Sequence, residues 1–315
     1  MRALYCSAGE ARLVERPTPR AGDDDVRIRV LAAGICNTDL ELVRGYMGFE
    51  GVLGHEVVGI VEEGPAAWLG RRVVAEINFA CGDCAWCSRG LGRHCPTRSV
   101  MGILNADGGI ADYVAVPIAN LHAVPDELAT EDAVFVEPLA AAFEITAQVP
   151  IERGQRCLVL GDGKLGLLAA QVLADRGAAV LAVGRHPEKL AILARRDIET
   201  TLSRDWRREP ADVVVEATGR AEGLGEAIAV TRPRGTLVLK STVAEPVAAN
   251  LAPLVINEVT VVGSRCGLFP PAIEALAQGR IDVRSLVTAR MPLSEAVDAL
   301  ERAAQPGALK VLIEP

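Results

Sequence analysis

The feature that most constrains the fold is a regular alternation of strand-like and helix-like segments, which begins at residue 156. Each strand-like segment is a run of mainly Val, Leu, Ile or Ala that ends near Gly or a polar residue, and a helical run follows most of them. The strand-like segments are 156–161, 178–184, 211–219, 235–241 and 257–265. Alternating units of this length specify a parallel sheet with helices on both faces. The sequence therefore predicts a doubly wound α/β domain.

The first half of the chain has a different pattern. Short alternating or β-branched runs lie at 26–34, 56–64, 71–76 and 111–117, separated by Gly and other turn residues. This pattern is typical of a barrel-like β domain. From residue 131 the apolar spacing becomes helical, and the tail after residue 268 reads as helix, strand, helix and strand. A chain of 315 residues is long enough for two domains.

Charge and hydropathy narrow the possible partners. The net charge is −8 and no long block of like charge occurs, so a basic groove for nucleic acid is not expected. The N-terminal segment carries Arg2, Glu10 and Arg12 where a secretory signal peptide needs an apolar run. No segment approaches the roughly 18 uninterrupted apolar residues of a membrane helix. We therefore expect a soluble, cytoplasmic protein that acts on a small molecule, with neither a nucleic acid nor a membrane as partner.

Four of the eight cysteines are closely spaced. They follow the pattern Cys-x2-Cys-x2-Cys-x7-Cys at Cys81, Cys84, Cys87 and Cys95. Four thiolates on one short loop can close a tetrahedron around zinc and leave no open coordination position, so we predict a structural zinc site. The alternatives are four unliganded surface thiols and an iron–sulfur cluster, which also uses close Cys spacing. The other four cysteines are scattered, which favours metal binding over disulfides in a reducing compartment.

A second set of metal-ligand residue types is spread along the chain. Cys36 lies in GICNTD, His55 in GHE and Glu137 in VEPLA. Each alone is more typical of a structural role, because a lone Cys packs in a core, a His beside an acid is hydrogen-bonded, and a Glu before Pro starts a helix. Together they supply a thiolate, an imidazole and a carboxylate, which is the ligand mix of an open catalytic zinc site.

The segment GDGKLG follows a predicted strand and opens a predicted helix. In that context the pattern is typical of a dinucleotide-binding turn. Gly161 allows the tight turn, Gly163 lets the backbone approach a pyrophosphate, and Gly166 permits close packing of helix on strand. The N–H groups of the helix N-terminus then face the phosphates. We expect the cofactor to contact Gly161, Gly163, Lys164, Leu165 and Gly166.

The second strand of the α/β domain ends at Gly184, and Arg185 follows it. An acidic residue about 20 positions after the fingerprint would bind the adenosine ribose of NAD. Gly184 occupies that place, so this position carries no carboxylate to repel a 2′-phosphate, and Arg185 can form charge-assisted hydrogen bonds to one. We therefore predict a preference for NADP over NAD. The alternative is that Arg185 is only a solvated surface cation.

In chain order, GICNTD, GHEVVG, the four-cysteine loop, VEPLA and the glycine fingerprint resemble the zinc-containing medium-chain dehydrogenases across nearly the whole chain. The Glu-Pro-Leu segment is most similar to the sorbitol, threonine and glucose dehydrogenase branch. The resemblance implies a GroES-like β-barrel catalytic domain and a Rossmann domain with its doubly wound parallel sheet. It places the catalytic domain and its structural zinc lobe at 1–140, the NAD(P)-binding domain at 141–267, and a C-terminal segment that returns to the catalytic domain at 268–315.

The resemblance also implies roles for single residues. Cys36 and His55 match the direct ligands of a catalytic zinc, and Glu137 matches a third ligand that binds directly or through water. Glu56, beside His55, matches an acidic residue that orients the site or binds the metal transiently. Thr38 matches the hydroxyl that bonds the substrate oxygen.

Two further positions concern the proton path and the ribose. Many members of the family carry a histidine five residues after the first Cys ligand, and here that position is Glu41, a departure that leaves a carboxylate as the candidate outer relay. Lys189 matches the lysine that reaches the ribose. The resemblance implies two zinc ions per chain, an alcohol, polyol or sugar substrate with its carbonyl product, and a homodimer or homotetramer. The alternatives are a zinc-free quinone or enoyl reductase of the same superfamily and a non-enzymatic zinc-binding module.

Overall fold

The computed structural model describes residues 1–242 and 247–315. The chain divides into two compact units. Unit 1 comprises Met1–Glu137, Ala272–Gln278 and Leu286–Pro315, and unit 2 comprises Pro138–Pro271 and Gly279–Ser285. The C-terminal segment predicted at 268–315 is thus divided between the two units. No helix in the described residues combines the length and apolarity needed to span a bilayer.

Unit 1 is built mainly on short strands. Its strands up to residue 123 are β1 Arg2–Ser7, β2 Glu10–Glu15, β3 Asp25–Gly34, β4 Gly51–Val52, β5 Glu56–Glu63, β6 Arg72–Ala75, β7 Asn78–Phe79, β8 Ser99–Met101, β9 Asn105–Ala106, β10 Tyr113–Pro117 and β11 Leu121–Ala123. Two short helices, α1 Asn37–Val43 and α2 Thr130–Ala133, belong to the same unit. The four strands predicted from alternation are confirmed as β3, β5, β6 and β10.

The alternating elements follow. They are α3 Val136–Gln148, β12 Arg156–Leu160, α4 Lys164–Asp175, β13 Ala179–Gly184, α5 Pro187–Ala194, β14 Glu199–Leu202, β15 Ala211–Glu216, α6 Ala221–Val230, β16 Thr231–Leu239, α7 Ala252–Ile256 and β17 Thr260–Gly263. The predicted alternation is confirmed. β17 is shorter than the predicted strand 257–265, and β14 was not predicted because its sequence, ETTL, is mostly polar.

The tail has the predicted order of helix, strand, helix and strand. These elements are α8 Phe269–Ala277, β18 Val287–Pro292, α9 Ala296–Ala304 and β19 Lys310–Glu314. The helical run that begins near residue 131 is two helices, α2 and α3, instead of one. In α9 the buried residues Ala296, Ala299 and Leu300 follow the i, i+3, i+4 spacing of an amphipathic helix.

β3 is the central strand of unit 1. In the described residues it pairs antiparallel with β5, β10 and β19, within a sheet ordered β11-β6-β5-β3-β19-β18. The β3–β5 register shifts at Arg27/Ile28 and again at Val30/Ala32. Such irregularities bend and twist a strand pair, which suits a barrel-like sheet. β2-β1-β4 and β7-β8-β9 form two smaller sheets.

The sheet of unit 2 is parallel throughout its described strands. Its order is β14-β13-β12-β15-β16-β17, which is the 3-2-1-4-5-6 order of doubly wound dinucleotide-binding sheets. Leu158, Leu160, Val214 and Leu237 from the strands pack with Ile228 of α6 in its core. The strand order reverses between β12 and β15, and in such sheets ligands bind outside the carboxyl ends of the strands at that point.

Candidate metal and cofactor sites

The segments that carry Cys36 and His55, the candidate zinc ligands, meet at one end of the β3–β5 pair. The antiparallel register places Gly34, the last residue of β3, opposite Glu56, the first residue of β5. Cys36 follows β3 and His55 precedes β5, so both lie at this end of the pair. Backbone pairing thus brings together residues that are well separated in the sequence.

One ligand atom each from Cys36, His55 and Glu56 lies within 4.8 Å of the others. His55 and Glu56 are buried, and Cys36 is half-buried. Thr38 adds a hydroxyl to the group, since Cys36 Sγ lies 3.7 Å from Thr38 Oγ1. A thiolate, an imidazole and a carboxylate at this spacing fit the donor set that Zn²⁺ takes in proteins.

Asp39, a fully buried residue of α1, organises this group. Its carboxylate accepts hydrogen bonds from the backbone N–H groups of Cys36, at 2.7 Å, and Gly54, at 3.2 Å, and one oxygen lies 3.4 Å from His55 Nδ1. Burial by itself lowers the pKa of His55, but the negative charges of Asp39 and Cys36 outweigh it and raise that pKa well above its usual value. The same negative surroundings favour a bound cation.

Lys310 belongs to the site although the sequence pattern did not reveal it. Its side chain is 0% exposed, and Nζ forms an ion pair with Glu56 and lies 3.4 Å from the carbonyl oxygen of Ile35. The ammonium also lies 5.6 Å from the centre of the Phe135 ring, within the range of a cation–π contact. The available signal was one Lys at the start of the apolar strand KVLIE, because Lys is almost never fully buried without a partner.

Glu137 and Glu41 lie outside the group of three. Glu137 is in the first turn of α3, and its carboxylate is not part of the cluster that Cys36, His55 and Glu56 form. Glu41 is on α1, where it accepts a hydrogen bond of 2.6 Å from Arg44. The side chains of Glu41 and Arg44 are both exposed to solvent. Metal ligation by Glu137 and proton relay by Glu41 stay predictions.

The four-cysteine loop brings its sulfur atoms close together. The Sγ separations that link Cys81, Cys84, Cys87 and Cys95 are 3.5, 3.5, 3.8 and 3.9 Å. A tetrahedron with Zn–S bonds of ~2.3 Å requires separations of about 3.8 Å. A hydrogen bond from the Cys81 backbone is the largest of the effects that lower the pKa of Cys95 to about 6, whereas burial is the largest of the effects that raise the pKa of Cys87 to about 12, so the fit to zinc depends on the sulfur geometry. The loop therefore fits a closed zinc site.

The glycine fingerprint forms the turn between β12 and α4. Gly161 has a φ of 117°, and a Cβ there would overlap the Ala217 carbonyl group. A Cβ on Gly166 would overlap the carbonyl oxygen of Gly161, so both positions exclude larger residues. A Cβ on Gly163, the N-cap of α4, would instead meet open space. That open surface at a helix N-terminus is where a pyrophosphate fits.

The first turn of α4 also contains Lys164 and Leu165, which are half-buried. At the end of the neighbouring strand β13, Gly184 is buried and Arg185 is exposed. Lys189 lies on α5 and is largely buried. All the residues predicted to contact the cofactor therefore lie on the β12–α4 turn, at the end of β13 or on α5.

Asp162, the second residue of the fingerprint, makes a contact that was not predicted. Its Oδ2 accepts hydrogen bonds from the backbone N–H groups of Arg185, at 2.6 Å, and His186, at 2.7 Å. Burial by itself raises the pKa of Asp162, but the hydrogen bonds from His186 and Arg185 outweigh it and lower that pKa. A negatively charged group therefore lies at the end of β13, where the residues Gly184 and Arg185 alone indicated none.

Family models match both halves of the chain. Residues 22–126 match the alcohol dehydrogenase GroES-like domain, and residues 165–278 match the zinc-binding dehydrogenase domain. The first match contains Cys36, His55 and the four-cysteine loop, and the second begins inside the glycine fingerprint.

Individual proteins resemble the chain over nearly its whole length. The sorbitol dehydrogenase of Halalkalibacterium halodurans is 29% identical over an alignment that is 331 residues long with its gaps. The alignment covers 98% of this chain and 96% of that protein. A zinc-binding dehydrogenase of Sinorhizobium meliloti 1021, solved bound to NADP, has a TM-score of 0.91 and 29% identity, with 100% of this chain and 99% of that chain covered. An alcohol dehydrogenase (rspB) of Escherichia coli CFT073, solved with NADH, has a TM-score of 0.92 and 27% identity, with the same coverage.

The family matches lie in both halves of the chain: the first contains Cys36, His55 and Glu56, and the second begins at Leu165, near the end of the glycine fingerprint. The chain therefore belongs to the zinc-dependent medium-chain alcohol and polyol dehydrogenases and is an NAD(P)-dependent alcohol dehydrogenase.

Proposed function

We propose that this enzyme oxidises the hydroxyl of a secondary alcohol, polyol or sugar, with NADP as the preferred hydride acceptor. The observation that carries the proposal is the compact group of Cys36, His55 and Glu56, with the Thr38 hydroxyl beside it. The similarity to a sorbitol dehydrogenase over 98% of this chain supports the polyol class.

Cys36, His55 and Glu56 would hold the catalytic zinc, with Glu137 as a further ligand directly or through water. When bound, the zinc supplies Lewis-acid chemistry that lowers the pKa of a substrate hydroxyl. Thr38 then accepts the proton of that hydroxyl and passes it outward. Hydride transfer to the nicotinamide ring is chemistry of the cofactor, for which the protein supplies binding and orientation.

Other residues of the chain support these steps. Asp39 holds the Cys36 backbone through a hydrogen bond, and its carboxylate lies beside the His55 ring, where its negative charge favours a cation bound by both ligands. Lys310 balances the charge of Glu56. Glu41, the candidate outer relay, is a solvent-exposed carboxylate on the same helix as Thr38, so it can exchange protons with water.

We also propose a second, structural zinc at the four-cysteine loop, supported by the Sγ separations of 3.5 to 3.9 Å. Metal analysis of the wild type should find two zinc ions per chain. Cys84→Ser should remove one of them and expose the loop to proteases, because a closed site stabilises a lobe with little core. Iron together with acid-labile sulfide in place of zinc would identify the site as an iron–sulfur cluster.

The proposed NADP preference depends on Gly184 and Arg185. Gly184 brings no acidic side chain to the end of β13, and Arg185 is exposed and forms no ion pair with any described residue. A guanidinium group can bind a 2′-phosphate through charge-assisted hydrogen bonds. Lys189 adds a second cation in the following helix.

The test is a panel of alcohols, polyols and sugars assayed with NADP and with NAD, together with zinc analysis. We expect the highest kcat/KM for a secondary alcohol, polyol or sugar with NADP. A clear preference for NAD would refute the NADP proposal. An active enzyme without zinc would favour a zinc-free reductase, and failure to bind either cofactor would favour a non-enzymatic zinc-binding module.

A homodimer or homotetramer assembled through β17 is a further proposal. In the described sheet β17 pairs only with β16, and Val261 on it is 43% exposed. Val255 and Ile256 of the neighbouring α7 are 78% and 77% exposed. An open strand edge beside exposed apolar residues favours association. Val261→Lys should shift the protein to monomers in sedimentation experiments, and an unchanged mass would exclude this edge.

A cytoplasmic location also stays a proposal. None of the eight cysteines, all of which lie in the described residues, forms a disulfide, and four of them lie at metal-binding distance from one another. Free thiols persist in reducing compartments. Fractionation of cells with an antibody against the chain would test the location.

A further inference from the structure

Asp162 occupies the volume that a side chain at position 184 would fill. A Cβ on Gly184 would lie 2.5 Å from both the Cβ and the Oδ2 of Asp162. In dinucleotide-binding sheets, the end of this strand carries the acidic residue that binds the adenosine ribose. Here a carboxylate reaches the same place, but it comes from the fingerprint turn instead of from β13.

We propose that Asp162 is a specificity-determining residue of the cofactor site, whose carboxylate disfavours a 2′-phosphate and thereby limits the NADP preference conferred by Arg185. The inference rests on the proposed cofactor site and deepens it. It predicts that the enzyme retains use of NAD because of Asp162.

The backbone donors of the β13–α5 turn are already used by Asp162. Phosphate groups at such turns are bound by backbone N–H groups. The N–H groups of Arg185 and His186 both donate to Asp162 Oδ2, at 2.6 and 2.7 Å. His186 Nδ1 lies 3.0 Å from the same oxygen. A 2′-phosphate would have to displace the carboxylate to reach these donors.

The negative charge of Asp162 also disfavours a 2′-phosphate. Asp162 is 7% exposed, so water and salt screen its charge weakly. A 2′-phosphate placed over Gly184 would therefore be repelled by the carboxylate and attracted by the cations Arg185 and Lys189. Cofactor choice depends on the balance between these groups and not on the residue at position 184 alone.

The decisive variant is Asp162→Asn, which keeps a carbonyl oxygen for the two backbone donors but removes the charge. We would measure the dissociation constants of 5′-AMP and 2′,5′-ADP by calorimetry with the zinc-loaded enzyme, because the two nucleotides differ only in the 2′-phosphate. The wild-type affinity ratio serves as the reference. Glu152→Gln is the matched control, since Glu152 is an exposed acid of unit 2 that precedes the opposite end of β12.

We expect Asp162→Asn to shift the affinity ratio about tenfold towards 2′,5′-ADP, which corresponds to ~1.4 kcal/mol, and Glu152→Gln to leave it unchanged. The kcat/KM ratio for NADP over NAD should move in the same direction. A ratio that is unchanged or that falls would overturn the inference, because a purely structural Asp162 would hold Arg185 in place and its loss would weaken 2′,5′-ADP binding.

Asp162→Ser provides a second variant if Asp162→Asn does not fold, and its expected shift has the same sign. If the wild type binds neither nucleotide, the cofactor site of the proposed function fails and this inference fails with it. If both nucleotides bind and the ratio does not respond to either variant, only the role of Asp162 is overturned.

Discussion

Lys310 and Glu56 form an ion pair in which the side chains are 0% and 1% exposed. The pair lies beside Gly34, where a Cβ would overlap Glu56 Oε2 and lie 3.2 Å from Lys310 Cδ. A residue of the last strand thus holds the carboxylate that lies next to Cys36 and His55. Removing one partner of such a pair leaves an uncompensated buried charge, whereas removing both does not.

Lys310→Met should therefore lower the free energy of unfolding by about 3 kcal/mol, since Glu56 would lose its partner. The double variant Glu56→Gln, Lys310→Met should recover most of that loss. Urea denaturation of the metal-free proteins would measure both values, because Glu56 is itself a proposed zinc ligand and bound zinc would compensate its charge. Equal losses in the single and double variants would show that the packing of Lys310, and not its charge, stabilises the site.

Cys36→Ser should abolish turnover while the fold survives, because the predicted zinc would lose its thiolate ligand. Zinc content should fall by one ion per chain, and far-UV circular dichroism should be unchanged. Cys157→Ala is the control, since Cys157 is buried in β12 of unit 2 and belongs to neither ligand group. Wild-type activity in Cys36→Ser would remove Cys36 from the mechanism.

The pH dependence of stability should report on Asp162. Its pKa in the folded protein is lowered from 3.8, so its charge stabilises the fold above pH 3.8, and that contribution is lost as the pH falls through the lowered pKa. The difference in unfolding free energy between wild type and Asp162→Asn should be constant at neutral pH and decrease only below pH 3.8. Urea denaturation across this range would measure it. A difference that changes between neutral pH and pH 3.8 would point to another titrating group.

Features that depend on local sequence could be predicted. The β12–α4 turn is one, because an apolar strand followed by closely spaced glycines is visible in the local sequence. Gly161 and Gly166 lie where a Cβ would overlap a carbonyl group, so the turn itself requires glycine there. The four-cysteine loop is another, since its ligands are close in sequence. Cys36 and His55 could be paired because each lies in a recognisable motif, and the β3–β5 register then accounts for their proximity.

Features that depend on long-range packing could not be predicted. Nothing near Lys310 in the sequence indicates Glu56 as its partner, because the contact depends on β19 pairing with β3. The contact of Asp162 with Arg185 likewise depends on how β12 and β13 align. Position 184 alone suggested a site without a carboxylate, and only the fold shows that the neighbouring turn supplies one.

Gly184 packs closely against Asp162, and we therefore expect a larger residue at position 184 to destabilise the protein. Gly184→Ala would place a Cβ 2.5 Å from Asp162 Cβ and Oδ2, so the turn must shift, at a cost of about 2 kcal/mol. Asp162→Gly removes the obstructing side chain, and the double variant should therefore be more stable than the sum of the single effects predicts. A double-mutant cycle by urea denaturation would measure the coupling. Gly225→Ala, on α6 where an added Cβ meets nothing within 4 Å, is the control and should be neutral or stabilising. Additive effects in the cycle would show that Asp162 is not what requires glycine at position 184.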